Sequence, residues 1–212
     1  MSNLKDKILL ATLTHVPFDG WSRAALKHGV IDAGAGLERG LGAFPGGMVE
    51  VAAYCSAYFD HRMVAELERR KIGDMKVRDR ITLAVRVRLE ALARHREACR
   101  RLMSFLALPP NAGLAAGCTW KTVNAMWYAA GDTATDFNFY TKRALLAAVY
   151  ASTVLCWLGD ESEDFTDTWE FLDRRIAGVM KIPKIKARLA DALARVPSPF
   201  GIWRGLRRSE PS

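Results

Sequence analysis

Apolar residues recur at three- and four-residue intervals along almost the whole chain and nowhere alternate between hairpin turns, which leaves an all-α protein as the fold class. Helices are expected at about 3–14, 22–28, 47–70, 76–93, 95–107, 112–130, 136–158, 161–180 and 184–195. Breaks fall at Pro17, at Gly73, at Pro109-Pro110, at Gly131, at Gly159 and at Pro183, each with a steric reason to interrupt a helix. Residues 29–47 hold seven glycines, so any helix there is expected to be short and mobile. With 212 residues the chain is long enough for a substantial core. Three segments are expected: short helices over 1–46, a helical body over 47–183, and a basic amphipathic segment over 184–212.

The segment 131–143, Gly-Asp-Thr-Ala-Thr-Asp-Phe-Asn-Phe-Tyr-Thr-Lys-Arg, is the most mixed in the chain. Gly131 ends one apolar helix, Thr135 can cap the next, and Asp132 and Asp136 suit its positive start. Beyond it, Leu145, Leu146, Val149, Tyr150, Thr153, Val154, Trp157 and Leu158 form a long buried stripe. The first turns instead spread Phe139, Tyr140, Lys142 and Arg143 around the circumference, so at least one aromatic is exposed. Exposed aromatics beside arginine are the chemistry of interface anchors.

Charge is local. Residues 174–208 carry ten Lys or Arg against one acid, a balance of +9 in a chain whose total is +8. Within this region Pro199, Ile202, Trp203 and Leu206 share one helical face, and Arg204, Arg207 and Arg208 group on another. Together with Phe200 they have the layout of an interfacial membrane helix that attaches reversibly. No apolar run reaches the length of a spanning helix, and the opening residues predict neither a signal peptide nor a transit peptide. The four cysteines are widely spaced, as reduced core thiols are.

Catalytic signatures are missing. Gly-x-Ser-x-Gly and phosphate-loop patterns do not occur, and Asp132 with Asp136 has no nucleophile or cofactor beside it. His15, His28, His61 and His95 stand apart without paired metal spacing, and the acidic run from Glu161 to Asp173 reads as a solvated helix face. No metal, cofactor or catalytic residue is expected. Trp120, Met126, Trp127, Tyr150 and Trp157 lie on two successive long helices, where bulky aromatics with Met form either a plain core or the wall of a hydrophobic pocket.

Several motifs resemble, in matching order, those of the ubiquinone-biosynthesis accessory family known as the ninth member of the COQ series. They are His15-Val-Pro-Phe-Asp-Gly-Trp21, Phe44-Pro-Gly-Gly47, His95-Arg-Glu97, Leu106-Ala-Leu-Pro109, the 131–143 segment, and Asp167 to Arg175. They cover roughly residues 8–181. The resemblance implies a TetR-like helical bundle that pairs as a homodimer. It implies an isoprenoid quinone intermediate or another lipid held by Trp120, Met126, Trp127, Tyr150 and Trp157. It implies docking of the di-iron demethoxyubiquinone hydroxylase on Asp136, Phe139, Tyr140 and Arg143. At 139 the family often has Trp, and the phenyl ring lacks the indole N–H. It further implies a peripheral place on a bacterial inner membrane, facing the cytoplasm, or on the matrix side of the mitochondrial inner membrane. The TetR-type architecture raises a transcriptional regulator as the alternative. Residues 30–44, however, supply only Arg39 among Gly34, Gly36, Gly40 and Gly42, with Asp32 and Glu38 alongside, so the resemblance implies a vestigial helix-turn-helix over 1–46 ahead of a lipid-binding body over 47–183, and no nucleic acid is expected as a partner.

Overall fold

The computed structural model describes residues 4–132 and 137–179, apart from the side chains of 137 and 138. Among these residues there is no strand. The chain forms two compact units, Met1–Asp173 and Arg174–Ser212. The first unit holds α1 (Leu4–Asp19), α2 (Arg23–Asp32), α3 (Leu37–Gly42), α4 (Gly47–Arg69), α5 (Val77–Leu92), α6 (Arg96–Leu106), α7 (Ala112–Ala129) and α8 (Phe137–Gly159). A ninth helix, α9, starts at residue 166 and is described to 179. No helix among the described residues is long and apolar enough to cross a membrane.

Two expected breaks lie elsewhere. Pro17 sits inside α1, not at its end. In the last turn a missing N–H costs a single hydrogen bond, and the helix closes instead with Gly20 N–H on Val16 O, at a φ of +68° that favours glycine. Likewise α2 runs on through Gly29 to Asp32. Gly29 is there because α1 crosses α2 at this point: an added Cβ would lie 2.6 Å from the Thr12 backbone N. Ser22 caps α2 by accepting from Ala25 N–H. The crossing also brings together two histidines that are separate in sequence: the His15 and His28 ring centroids are 5.1 Å apart. The glycine-rich stretch does hold a helix, α3, of six residues.

In the body, α4 packs on α5 and α7, and α7 on α8. The α4 stripe of Val51, Ala52, Cys55, Phe59, Met63 and Leu67 is buried throughout. The expected α8 stripe is buried as well, except for the half-buried Leu145. Each such large apolar side chain contributes about 1.5–3 kcal/mol.

The start of α9 is fixed by Asp160. One carboxylate oxygen accepts from Ser162 N–H and hydroxyl, and the other from Thr168 N–H (2.8 Å) and hydroxyl. Burial works against the charge, but these hydrogen bonds outweigh it and hold the Asp160 carboxyl down at about 2, against an ordinary 3.8. A depressed carboxyl stabilises the fold above its unfolded value and stops doing so as pH falls through its folded value. Asp160→Asn is therefore expected to lose about 1–2 kcal/mol at pH 7. That deficit should shrink below about pH 4 and close near pH 2, as urea titrations of both proteins will show.

Candidate functional site

An apolar cavity of about 240 Å³ lies between α4, α5, α6, α7 and α8. Its inner wall is made of buried Cys55, Phe59, Leu92, Tyr150 and Trp157. Its outer part is lined by the partly exposed Met103, Leu106 and Ala115, which mark its opening. Burial pushes the Cys55 thiol up, and that of Cys99, also in the wall, to about 12, so both remain protonated.

The cavity has a polar floor. Arg88, on the buried stripe of α5, donates through Nε to Asp60 Oδ1 at 2.7 Å, and another of its N–H groups meets the Tyr150 hydroxyl. The Thr122 hydroxyl donates to the same carboxylate, 2.9 and 3.0 Å from its two oxygens. Arg88, Asp60, Thr122 and Tyr150 are all buried. Burial works against the Arg88 charge, and Tyr150 and Asp60 more than offset it; burial also pushes the Tyr150 hydroxyl up to about 12. The result is a neutral phenol and a buried arginine at the base of an apolar hole, the arginine held by Asp60. Sequence reading missed Arg88 and Asp60. The signal was present, since Arg88 continues the apolar run Ile81, Ala84, Val85 at helical spacing, and Asp60 lies between Phe59 and Met63.

A second feature sits at the join of α7 and α8. Gly131 ends α7 at a φ of +85°, with its N–H on Tyr128 O and that of Asp132 on Trp127 O, the Schellman arrangement. Asp132 then accepts from Lys142 Nζ at 2.8 Å and from Arg143 Nη1 at 3.1 Å. Arg143 also donates to Asn124 Oδ1 at 2.7 Å and to Phe139 O, and its guanidinium lies 3.4 Å from the Phe139 ring centroid. Outside this polar knot Tyr140 is 62% exposed and stacks on Trp120, 38% exposed, with centroids 6.2 Å apart. Phe139 meets both rings edge-on.

The expected residues are therefore redistributed. Of the five lipid candidates, Tyr150 and Trp157 line the cavity. Met126 is core, Trp127 lies half-buried under Lys142, and Trp120 belongs to the exposed aromatic cluster. Of the docking set, Tyr140 faces solvent, Phe139 is half-buried, and Arg143 is fully buried, turned inward to hold the helix start. Asp136 and the capping Thr135 lie outside the described residues, as do Phe200, Ile202, Trp203, Arg204, Leu206, Arg207 and Arg208.

Three N-terminal helices leading into a larger bundle with an internal apolar cavity give the chain a TetR-like all-α fold. The crystal structure of a TetR transcriptional regulator from Nitrosomonas europaea superposes with a TM-score of 0.69, covering 84% of this chain and 98% of that one. At 23% identity the likeness is one of fold. In sequence the COQ9 family model matches residues 112–183, which contain both helices of the aromatic join. Over 187 residues the chain is 34% identical to the ubiquinone biosynthesis protein COQ9, mitochondrial, of Rattus norvegicus and 33% identical to that of Homo sapiens. Each of these alignments takes in 84% of this chain, and 59% and 58% of the two relatives respectively. The chain belongs to the COQ9 family. It spans about three fifths of the length of the curated relatives it matches.

Proposed function

We propose that this protein serves ubiquinone biosynthesis as a non-catalytic lipid carrier that presents a polyprenylated quinone intermediate to the di-iron demethoxyubiquinone hydroxylase. The observation that carries this reading is the cavity: an apolar hole whose inner end offers polar groups suited to a quinone ring. Besides the Arg88 and Tyr150 floor, the buried Trp157 indole N–H has no hydrogen-bond partner among the described residues, and a ring oxygen would supply one. About 240 Å³ is below the ~300–1,000 Å³ of typical small-molecule sites, so the cavity takes a ring or a short length of prenyl chain, with the remainder leaving past Met103 and Leu106.

Tyr140, Trp120 and Phe139 form the docking surface in this reading, and Arg143 positions it from beneath. The basic amphipathic segment 184–212 would hold the carrier on an inner-membrane surface, and the carrier would act as a homodimer. A six-residue α3 whose charged residues are Glu38 and Arg39 argues against the regulator reading, since base readout takes several donor side chains on a seated helix.

One purification tests both halves. Wild type, Ala115→Trp and Tyr140→Ala are captured from cells, the bound lipid is identified by mass spectrometry, and the hydroxylase is quantified by immunoblot. Wild type is expected to carry an isoprenoid quinone. Ala115→Trp should lose it by blocking the opening, and Tyr140→Ala should lose the hydroxylase while keeping the lipid. An empty wild-type cavity, or lipid retained in Ala115→Trp, would refute the carrier. Undiminished hydroxylase capture in Tyr140→Ala would refute the docking surface.

A further inference from the structure

His15 and Asp19 lie one turn apart on α1, and His28 and Asp32 lie one turn apart on α2, so each helix presents a histidine and a carboxylate on one face. The two helices cross antiparallel, which sets each histidine against the other helix's acid. His15 Nε2 is 2.7 Å from Asp32 Oδ2, and His28 Nδ1 is 2.7 Å from Asp19 Oδ2. One ligand atom from each of His15, Asp19 and His28 lies within 4.8 Å of the others. We propose that these three side chains bind a divalent transition-metal ion of the zinc class, with Asp32 orienting the His15 ring.

The chemistry of the donor set selects the class. Two imidazoles and one carboxylate suit zinc and its first-row neighbours, whereas calcium and magnesium take oxygen ligands. Bonds of about 2.0–2.2 Å at tetrahedral angles put ligand atoms roughly 3.3–3.5 Å apart, so the widest separation needs to close by at most about 1.5 Å, within the reach of side-chain rotation. Two imidazoles, one carboxylate and an open fourth position form the ligand count of a site that keeps a water or takes a group from a partner. A carboxylate on a ligating histidine is the usual outer support.

Rigidity comes from the scaffold. The close crossing at Gly29 and Thr12 and the Ser22 cap fix both helices, so the ligands are held by elements and not by a loop. Stability alone gives little reason for the arrangement, since exposed ion pairs are worth about 0–1 kcal/mol. All four side chains reach solvent, so they can be replaced without opening the core.

The test is a cobalt(II) titration of untagged, chelator-treated full-length protein, followed by the visible absorption of the bound ion and then by displacement with zinc. One cobalt per chain is expected, released by one equivalent of zinc. His15→Ala and His28→Gln should each weaken binding by well over about tenfold, and Asp32→Asn by about tenfold, as loss of an outer carboxylate does. His61→Ala and His95→Ala should leave it unchanged. Circular dichroism checks that each variant is folded, and His28→Gln keeps the side chain's size should His15→Ala lose structure. Absence of a saturable cobalt spectrum in the wild type would overturn the site. Equal affinity in His28→Gln would overturn it too, because the ion would then be held elsewhere. Neither result bears on the lipid carrier, which uses none of these residues.

Discussion

Replacing Arg88 by methionine is expected to lower the unfolding free energy by about 3–5 kcal/mol, the cost of leaving one partner of a buried ion pair alone. Methionine fills most of the volume of the arginine stem, so the loss reports on charge and not on a void. What remains is Asp60, buried, with Thr122 as a hydrogen-bond donor and no cation against it. Arg88→Met combined with Asp60→Leu should recover much of the deficit, because two apolar groups in place of a buried pair are often neutral. Urea unfolding followed by circular dichroism measures both. Tyr150→Phe, which removes one hydrogen bond and little volume, should cost only about 1 kcal/mol. A loss below about 1 kcal/mol for Arg88→Met would mean that the pair is hydrated and the cavity floor wet.

Gly29→Ala is the second large effect. Alanine would ordinarily gain about 1 kcal/mol over glycine inside a helix. Here its methyl would meet the Thr12 hydroxyl and lie 2.6 Å from the Thr12 backbone N and 2.7 Å from its Cα. Backbone cannot step aside as a flexible side chain can, so α1 and α2 must separate, and overpacking of this kind costs about 1–3 kcal/mol, occasionally more. With the cost at the upper end of that range, about 3 kcal/mol, because the contact is with backbone, the net expectation is destabilisation by about 2 kcal/mol. Thr12→Ala in the same chain removes the hydroxyl but not the backbone contact, so it should restore only part of that loss. Thermal unfolding of the three proteins decides the matter. Gly29→Ala as stable as wild type would mean that the two helices are free to slide.

Much of the fold could be read in the residues because helical spacing repeats over long stretches and its interruptions are steric. The α8 stripe and the Gly131 stop follow from side-chain periodicity and from a single φ that only glycine adopts readily. Pro17 and Gly29 misled for one reason. Each is a helix breaker in isolation, yet one falls where a hydrogen bond is already expendable, and the other where a neighbouring helix demands the absence of a Cβ. The cavity was half legible. Tyr150 and Trp157 were visible as aromatics on a buried face, whereas Arg88 and Asp60, although each continues an apolar stripe, reveal that they are partners only when α4, α5, α7 and α8 are assembled. The split between Trp120 and the residues that share its helix could not be read either. Aromatic composition says that a ring is present, and only the crossing of α7 with α8 says on which side it emerges. His15 and His28 were set apart for the same reason, since ligand spacing within one segment says nothing about partners contributed by two.

Two of the helices that wall the cavity, α7 and α8, also carry the exposed rings. On α7, Cys118 and Thr122 face inward, while Trp120, two positions from each, stacks outside on Tyr140. One rod is thus touched from both sides, and a guest large enough to shift it from within must shift the outer stack as well. Linkage then requires reciprocity: whatever factor a guest adds to or takes from the grip on the outer rings, an occupant of those rings imposes in equal measure on the guest.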